Sequence, residues 1–515
     1  MKPTKLLAAL AVTSMLASCD FAPALHMPGF GKQEAFKEAA NEPALSPEEA
    51  GSWKVGQPSA AQPRGEWWHV FNDAKLDALE DDASKNNQNL AAMVARVTQA
   101  RAIARVAESA LLPQIDNTTS ATRQKLNPIA FGATPGTSFP AQTLVGTSFG
   151  LDYELDLFGG LRNERKAAVK DAEAAAEQLE SMKLALQADV ADTYFSLEAL
   201  DREINILERG VTVRTDNLDI LHKRVEAGTI TELDLSTSVV DLETTRSQLN
   251  GARQDRAVME HALAVLLGKT PADFNFDKSP LTAQIPVIPA GLPSALLERR
   301  PDISAAQHEF AAANARIGVA KAAFFPRLSL TATGGLESDT LSNALQWSSR
   351  SWAIGPVMSL PIFTGGRNTA NLKRSKAVFE EQVAVYRQQV LEAFRDVEDS
   401  LVTLKTLGLQ SQSQITAADA AKQAEKIANL RYDSGDLGYL ETISARRDAL
   451  ETERNGVLIQ QARLSATIRL IRALGGGWDA PFVPLPAEVS APATAGPAAD
   501  LNESVPPGMM LDDKK

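Results

Sequence analysis

Two short stretches and five histidines of this chain use letters that chemistry uses. Positions 146–150 read GTSFG, which matches the G-x-S-x-G pattern of a nucleophile elbow. That motif needs a strand, a sharp turn and then a helix around its serine. Ser148 is instead followed by FGLDYELDLFG (149–159), an alternation that continues a strand and offers no turn. Positions 267–270 read LGKT, the end of a phosphate-binding loop, but Leu263 stands where the first glycine is required. His26, His69, His222, His261 and His308 show no metal-ligand spacing, and His222 and His261 fall on long helical stretches as surface residues. These residues make no catalytic constellation, so neither an enzyme nor a metal or cofactor is expected. The titratable groups that do form a pattern are three carboxylates, Asp152, Glu154 and Asp156, at alternate positions.

The elements around those carboxylates explain the pattern. Phe149, Leu151, Tyr153, Leu155 and Leu157 alternate with Gly150, Asp152, Glu154 and Asp156, which is a strand with one apolar and one acidic face. Further strands are expected at LSLTATGG (328–335), SWAIGPVMSLPIF (351–363) and, more weakly, QIDNTTSATRQ (114–124). Elsewhere the period is helical. The chain holds 27 prolines, yet none lies between 141 and 270 or between 362 and 480. A proline inside a helix costs about 3 kcal/mol, so such gaps read as helix. Apolar residues from Leu179 through Val225, and again from Phe379 through Leu404, step by three or four, close to the coiled-coil period. One helix over 162–227 would be roughly 100 Å long at about 1.5 Å per residue. After a glycine turn, each long helix is expected to be followed by one of about 35 residues folding back alongside it.

The chain says this twice. FGGLRN (158–163) is answered by FTGGRN (363–368), LLPQI (111–115) by FFPRL (324–328), and RVEAGTI (224–230) by RYDSGDL (431–437). Gly228 precedes Gly268 by 40 residues, and Gly435 precedes Gly475 by 40. Two such copies are a tandem duplication, since a solenoid needs three or more short repeats. The boundaries read as a signal segment 1–18, an extended N-terminal segment 19–63, a first repeat 64–270, a Pro-rich linker 271–293, a second repeat 294–478 and a disordered Pro/Ala-rich tail 479–515.

With 44% apolar residues and a net charge of −12, the chain is globular in composition and unsuited to a nucleic-acid partner. Beyond the first 19 residues no apolar run is long enough for a membrane-spanning helix. Lys2 and Lys5 precede LLAALAVTSMLAS, which suits an export signal and ends at Cys19, the single cysteine. LASC (16–19) resembles the bacterial lipoprotein box, in which the cysteine thiol is lipidated and becomes the first mature residue. Acyl chains there would anchor the N-terminus at about 0.8 kcal/mol per buried CH₂.

Four strands in one chain leave two sheet edges unpaired and one apolar face uncovered. Closure removes edges, but barrels start at about eight strands. Several copies must therefore share one barrel: two would fill it with side chains, and three would leave a bore. The apolar face then meets lipid and the acidic face a watery lumen.

The chain resembles the TolC-type outer-membrane factor family of Gram-negative bacteria, in its lipoprotein branch associated with multidrug efflux. The resemblance runs from about 64 to 478 and is carried by the stretch from Trp67 to Ala102, by YELDLFGGLRN (153–163), AGTITELDL (227–235), ERRPDISAAQHEFAAANARIGVAKAAFFPRLSL (298–330) and LPIFTGGRN (360–368). It implies a mixed α/β membrane protein in which each repeat supplies a β-hairpin and a long antiparallel helical hairpin. It further implies a homotrimer with a twelve-stranded barrel in the outer membrane, continued by a periplasmic helical tunnel. The implied partners are a periplasmic adaptor and an inner-membrane pump of the RND type. The expected function is the exit duct of a tripartite efflux system. A type I protein-secretion duct is the alternative within the channel class, and a pore-less periplasmic coiled-coil scaffold the alternative outside it.

The resemblance also implies where function sits. Asp234 matches an aspartate that links helices at the periplasmic gate, Tyr432 its tyrosine partner, and Glu441 a constriction carboxylate. Ser444 departs from the family, which often carries a gate aspartate there. Glu226, Ala227, Gly228 and Thr229, with Asp433, Ser434, Gly435 and Asp436, match the tips that meet the adaptor. Gly159, Gly160, Gly365 and Gly366 mark the strand-to-helix junctions, where glycine permits backbone turns. Asp152, Glu154 and Asp156 would line the lumen and favour cations. Asp20 resembles the enteric tag for retention in the inner membrane, whereas the barrel pattern argues for the outer one.

Overall fold

A computed structural model describes residues 21–28, 36–38, 66–279 and 299–476, apart from 133, 135 and 341, together with positions 281, 283, 285 and 286. The signal segment 1–18, Cys19, Asp20, the tail 479–515 and part of the 271–293 linker lie outside the described residues. A 3₁₀ turn (Trp67–Phe71) leads into helices α1 (Ala74–Asn86) and α2 (Gln88–Ser109), then strands β1 (Gln114–Gln124) and β2 (Gln142–Leu155). Helices α3 (Gly160–Glu226) and α4 (Glu232–Leu266) complete the first copy. The second copy runs α5 (Pro301–Ala322), β3 (Arg327–Ser338), β4 (Arg350–Ser359), α6 (Arg367–Asp433) and α7 (Tyr439–Ala473).

The duplication is preserved to the residue in the helical hairpins. Both α3 and α6 have 67 residues, and both α4 and α7 have 35. At about 1.5 Å per residue the long helices run roughly 100 Å. Each begins beyond a glycine in the left-handed region, Gly159 at φ 74° and Gly366 at φ 82°, where a residue with Cβ is strained. Gly365 also lies there, at φ 57°, whereas Gly160 is the first helical residue and faces Ala322.

The four strands form one antiparallel sheet in the order β1-β2-β3-β4. Each copy's hairpin is local, and β2 pairs with β3 across the duplication, with Leu151 opposite Ala332 and Leu155 opposite Leu328. The register sorts side chains cleanly by face. Ile115, Phe149, Leu151, Tyr153, Leu330, Leu336, Trp352, Ile354 and Met358 share one side, with Trp352, Ile354 and Met358 at 76%, 66% and 70% exposure. Asp116, Asp152, Glu154, Ser329, Thr331 and Glu337 share the other. The expected span 148–159 is corrected: β2 ends at Leu155, so Asp156 is not on the strand. Its carboxylate turns back to accept from the Arg162 backbone N–H (2.8 Å) and Nε (3.2 Å), caring for the otherwise unpaired first turn of α3.

Below the sheet the middle of α3 and of α6 and the C-terminal half of α7 pack a core around Tyr194, Phe195, Val397, Leu464 and Ile468, closed on one side by Trp67, Trp68 and Phe71. Alanines of α5 and Ala167 of α3 allow those two helices to approach closely. At the N-terminus of α5 the buried Arg300 holds Asp302, Asp396 and the carbonyl oxygen of Ala473, so one guanidinium ties α5, α6 and the end of α7.

The N-terminal segment, expected to be extended, lies against the body where it is described. The Phe21 ring stacks on Phe325 (4.6 Å between centroids), and Phe325 stacks on Phe158 (4.8 Å). The Pro23 carbonyl accepts from Asn314 Nδ2 at 2.8 Å, and Gly318 leaves room where a Cβ would press on the Ala22 nitrogen. Phe36 is buried in the main core. Phe158 and Phe325 belong to the strand–helix junctions of different copies, and Phe21 extends the stack that joins them.

Candidate functional site

The far ends of the two helical hairpins have the same construction. In the first, the Gly228 N–H donates to Val225 O (2.8 Å) and the Thr229 N–H to Arg224 O (2.9 Å). In the second, Gly435 donates to Tyr432 O (3.1 Å) and Asp436 to Arg431 O (2.8 Å). Both are helix C-terminal motifs that satisfy the last free carbonyls, with Gly228 at φ 70° and Gly435 at φ 79°. Glu226, Ala227, Gly228, Thr229, Asp433, Ser434, Gly435 and Asp436 are all exposed. A small apolar cluster of Leu221, Leu235, Tyr439 and Ile443 holds the two tips together.

Asp234 and Glu441 occupy equivalent positions, the third residue of α4 and of α7. There they diverge. Thr231 and Asp234 form a reciprocal capping box: Thr231 N–H and Oγ1 both donate to Asp234 Oδ2, at 3.1 and 2.7 Å. The N-cap of α7 is Gly438, which has no side chain to answer Glu441. Glu441 is exposed and its carboxylate leans over the glycine, 2.5 Å from where a Cβ there would stand. Ser444, one turn on, is exposed as well.

Tyr432 is half-buried and accepts a hydrogen bond from Arg224 Nη1 at 3.0 Å. The same guanidinium lies 5.4 Å from the centre of its ring, and Tyr439 flanks the ring at 5.3 Å. Within one chain Asp234 and Tyr432 do not meet: Thr231 bonds the aspartate and Arg224 the tyrosine. Sequence reasoning missed Arg224. The signal was available in kind, a cation in the last turn of α3, but nothing local said that it reaches a residue 208 positions away.

At the opposite end, Asp152 and Glu154 lie on the polar sheet face, opposite Thr331 and Ser329 of β3. Asp116 and Glu337, which the reading of the strands did not single out, join them on that face. Ser148 pairs with Thr118 and Gly335 in the middle of the sheet, without the turn that a nucleophile requires. His69 bridges Glu66 and Asp77, His308 meets Glu173, and His222 and His261 are exposed. Among the described residues no group of His, Cys, Asp or Glu is placed to hold a metal, and no helix is long and apolar enough to cross a membrane.

Comparison with known proteins agrees with this geometry. The sequence model of the outer membrane efflux protein family matches residues 79–269 and 292–476, one stretch per copy. The chain is 35% identical over 471 residues to the probable efflux pump outer membrane protein SepC of Pseudomonas putida, covering 91% of this chain and 96% of that one. It is 32% identical over 482 residues to the outer membrane protein OprJ of Pseudomonas aeruginosa, covering 93% and 97%. Its fold superimposes on the crystal structure of the Campylobacter jejuni CmeC outer membrane channel with a TM-score of 0.80, at 26% identity, over 89% of this chain and 95% of that one.

Proposed function

The chain belongs to the outer membrane efflux protein family, and from that membership we propose that it is the outer-membrane exit duct of a tripartite efflux system, built from three copies. The observation that carries this reading is the sheet: four strands with both edges unpaired and an exposed apolar face, standing on helices about 100 Å long. Unpaired edges call for another copy of the sheet. Three copies give twelve strands, with the apolar face toward lipid and Asp116, Asp152, Glu154 and Glu337 toward water.

The helices support the same assembly. Leu391, Val402, Leu409 and Ile427 are exposed on α6 at offsets of 11, 18 and 36 residues, all close to whole turns. Leu233, Val240, Val258 and Val265 make a second exposed apolar line along α4. Such lines are coiled-coil seams awaiting a partner. Neighbouring copies would cover them and close the helices into a tunnel.

The tips around Gly228 and Gly435 then form the periplasmic end, docking the adaptor of an RND-type pump. Arg224–Tyr432, with Asp234 fixing its own helix and Glu441 facing the bore, holds that end narrow. Cys19 carries the lipid anchor. Phe21, stacked at the foot of the sheet, supports the outer-membrane assignment over the retention suggested by Asp20, because two residues reach no farther than about 7 Å.

The first experiment is the mass of the detergent-extracted mature protein by light scattering, corrected for bound detergent. A mass near three chains is expected. A monomer stable in mild detergent would leave four strands with no closure and refute the duct.

A further inference from the structure

A second concentration of charge lies away from the tips, where α3, α4 and α7 meet. Asp241 of α4 is buried, with 7% of its side chain exposed, and two arginines share it. Arg214 Nε of α3 donates to one carboxylate oxygen at 2.8 Å, and Arg447 Nε of α7 donates to the other at 2.6 Å. Two cations thus rest on one anion. Nearby Arg454 does not change the balance, because Glu203 already pairs with it.

The excess charge is not simply left to water. Arg214 is as buried as Asp241, at 7% exposure, and its Nη2 is enclosed without a hydrogen-bond partner. A buried guanidinium N–H left unpaired costs about 1–3 kcal/mol or more. Beside it opens a cleft of about 270 Å³, lined by Arg214 and Arg447 and by the amides of Gln248 and Asn455. That is several times the roughly 30 Å³ that a water takes up in the liquid. Glu451, exposed on the rim, is the one acidic side chain of the lining that is not already shared between arginines.

We propose that this cleft binds a small oxyanion, inorganic phosphate being the simplest, between Arg214 and Arg447. A tetrahedral oxyanion suits guanidinium forks, which recognise such oxygens with paired N–H donors. Because Arg214 belongs to the first copy's hairpin and Arg447 to the second, a bound anion fastens the two hairpins across their seam. The inference rests on the geometry of one chain and stands independently of the duct reading.

Equilibrium dialysis of the full-length detergent-purified protein against radiolabelled inorganic phosphate, at ionic strength held constant with chloride, tests it. The expected result is saturable binding of one phosphate per chain at millimolar concentration or below. Arg447→Gln should weaken that binding at least tenfold. It removes the half-exposed arginine and leaves Arg214 paired to Asp241, so the fold is kept. Glu451→Gln should tighten binding by removing the competing rim charge. Absence of saturable binding in the wild-type protein overturns the proposal. So does binding that Arg447→Gln leaves unchanged, since the phosphate then sits elsewhere.

Discussion

Replacing Arg224 should open the periplasmic end, and the structure sets how far. Arg224 makes two contacts with Tyr432, a hydrogen bond at 3.0 Å and a cation–ring approach at 5.4 Å. A hydrogen bond to a charged group contributes about 1.5–3 kcal/mol when buried, and half-exposure reduces this one to about 1 kcal/mol. The ring contact adds about 0.5–1 kcal/mol. Tyr432→Phe keeps the ring and loses only the hydroxyl, about 1 kcal/mol per chain, whereas Arg224→Ala loses both, about 2 kcal/mol. If three tips open together, closure weakens by about 3 kcal/mol in the first variant and about 6 kcal/mol in the second. At 1.4 kcal/mol per tenfold, that shifts the closed–open balance by about two and about four powers of ten. Single-channel conductance in planar bilayers reads the shift directly. The open fraction should rise in the order wild type, Tyr432→Phe, Arg224→Ala. Equal effects would show that the ring contact contributes nothing. Unchanged conductance in both correctly assembled variants would remove this contact from the gate.

Other consequences are independent of the gate. Burial, with the charge of Asp77 adding to it, pushes the Glu80 carboxyl up to about 9 from 4.5. A carboxyl raised in the folded state binds its proton more tightly folded than unfolded. Its contribution is therefore complete below about pH 4.5 and is lost as pH climbs toward 9, about 3 kcal/mol being gone at pH 7. Glu80→Gln should flatten the pH dependence of urea unfolding followed by tryptophan fluorescence and raise the midpoint at pH 7; an unchanged slope would contradict this. A methyl at Gly268, which sits at φ 68°, would overlap the carbonyl oxygen of Asn86, so Gly268→Ala should lower stability by about 3 kcal/mol or more. Gly251→Ala, in an open stretch of α4, should instead raise it by about 0.5–1 kcal/mol, and urea titration compares the two. Phe21→Ala removes ring stacking worth about 0.5–1.5 kcal/mol per pair, so limited proteolysis should cut the N-terminal segment faster while sparing the helices.

Much of the architecture was legible because local chemistry dictates it. Proline-free gaps and steps of three or four place α3, expected over 162–227 and found at Gly160–Glu226, to within two residues of its ends, and they mark α6 as helix without fixing its limits at Arg367 and Asp433. Alternation gave β2 its faces, but not its start at Gln142, where the Gly- and Thr-containing run QTLVGT has no clean period. The fate of Asp156 was not legible either. Its letter continues the alternation, and only the turn through Gly159 brings the Arg162 N–H within reach to draw the carboxylate off the strand.

By itself, then, the sequence determined two copies of a strand hairpin and a helical hairpin, and a sheet with one oily and one acidic face. Those properties follow from backbone sterics and from the periods 2 and 3.6, which act between near neighbours. Tertiary structure decided which charged groups meet. Arg224 takes Tyr432, Asp241 gathers Arg214 and Arg447, and Phe21 stacks on the Phe325–Phe158 pair that joins the two copies. These pairings join residues 27 to more than 200 positions apart. No local period carries them, because they exist only where packed helices bring distant side chains together.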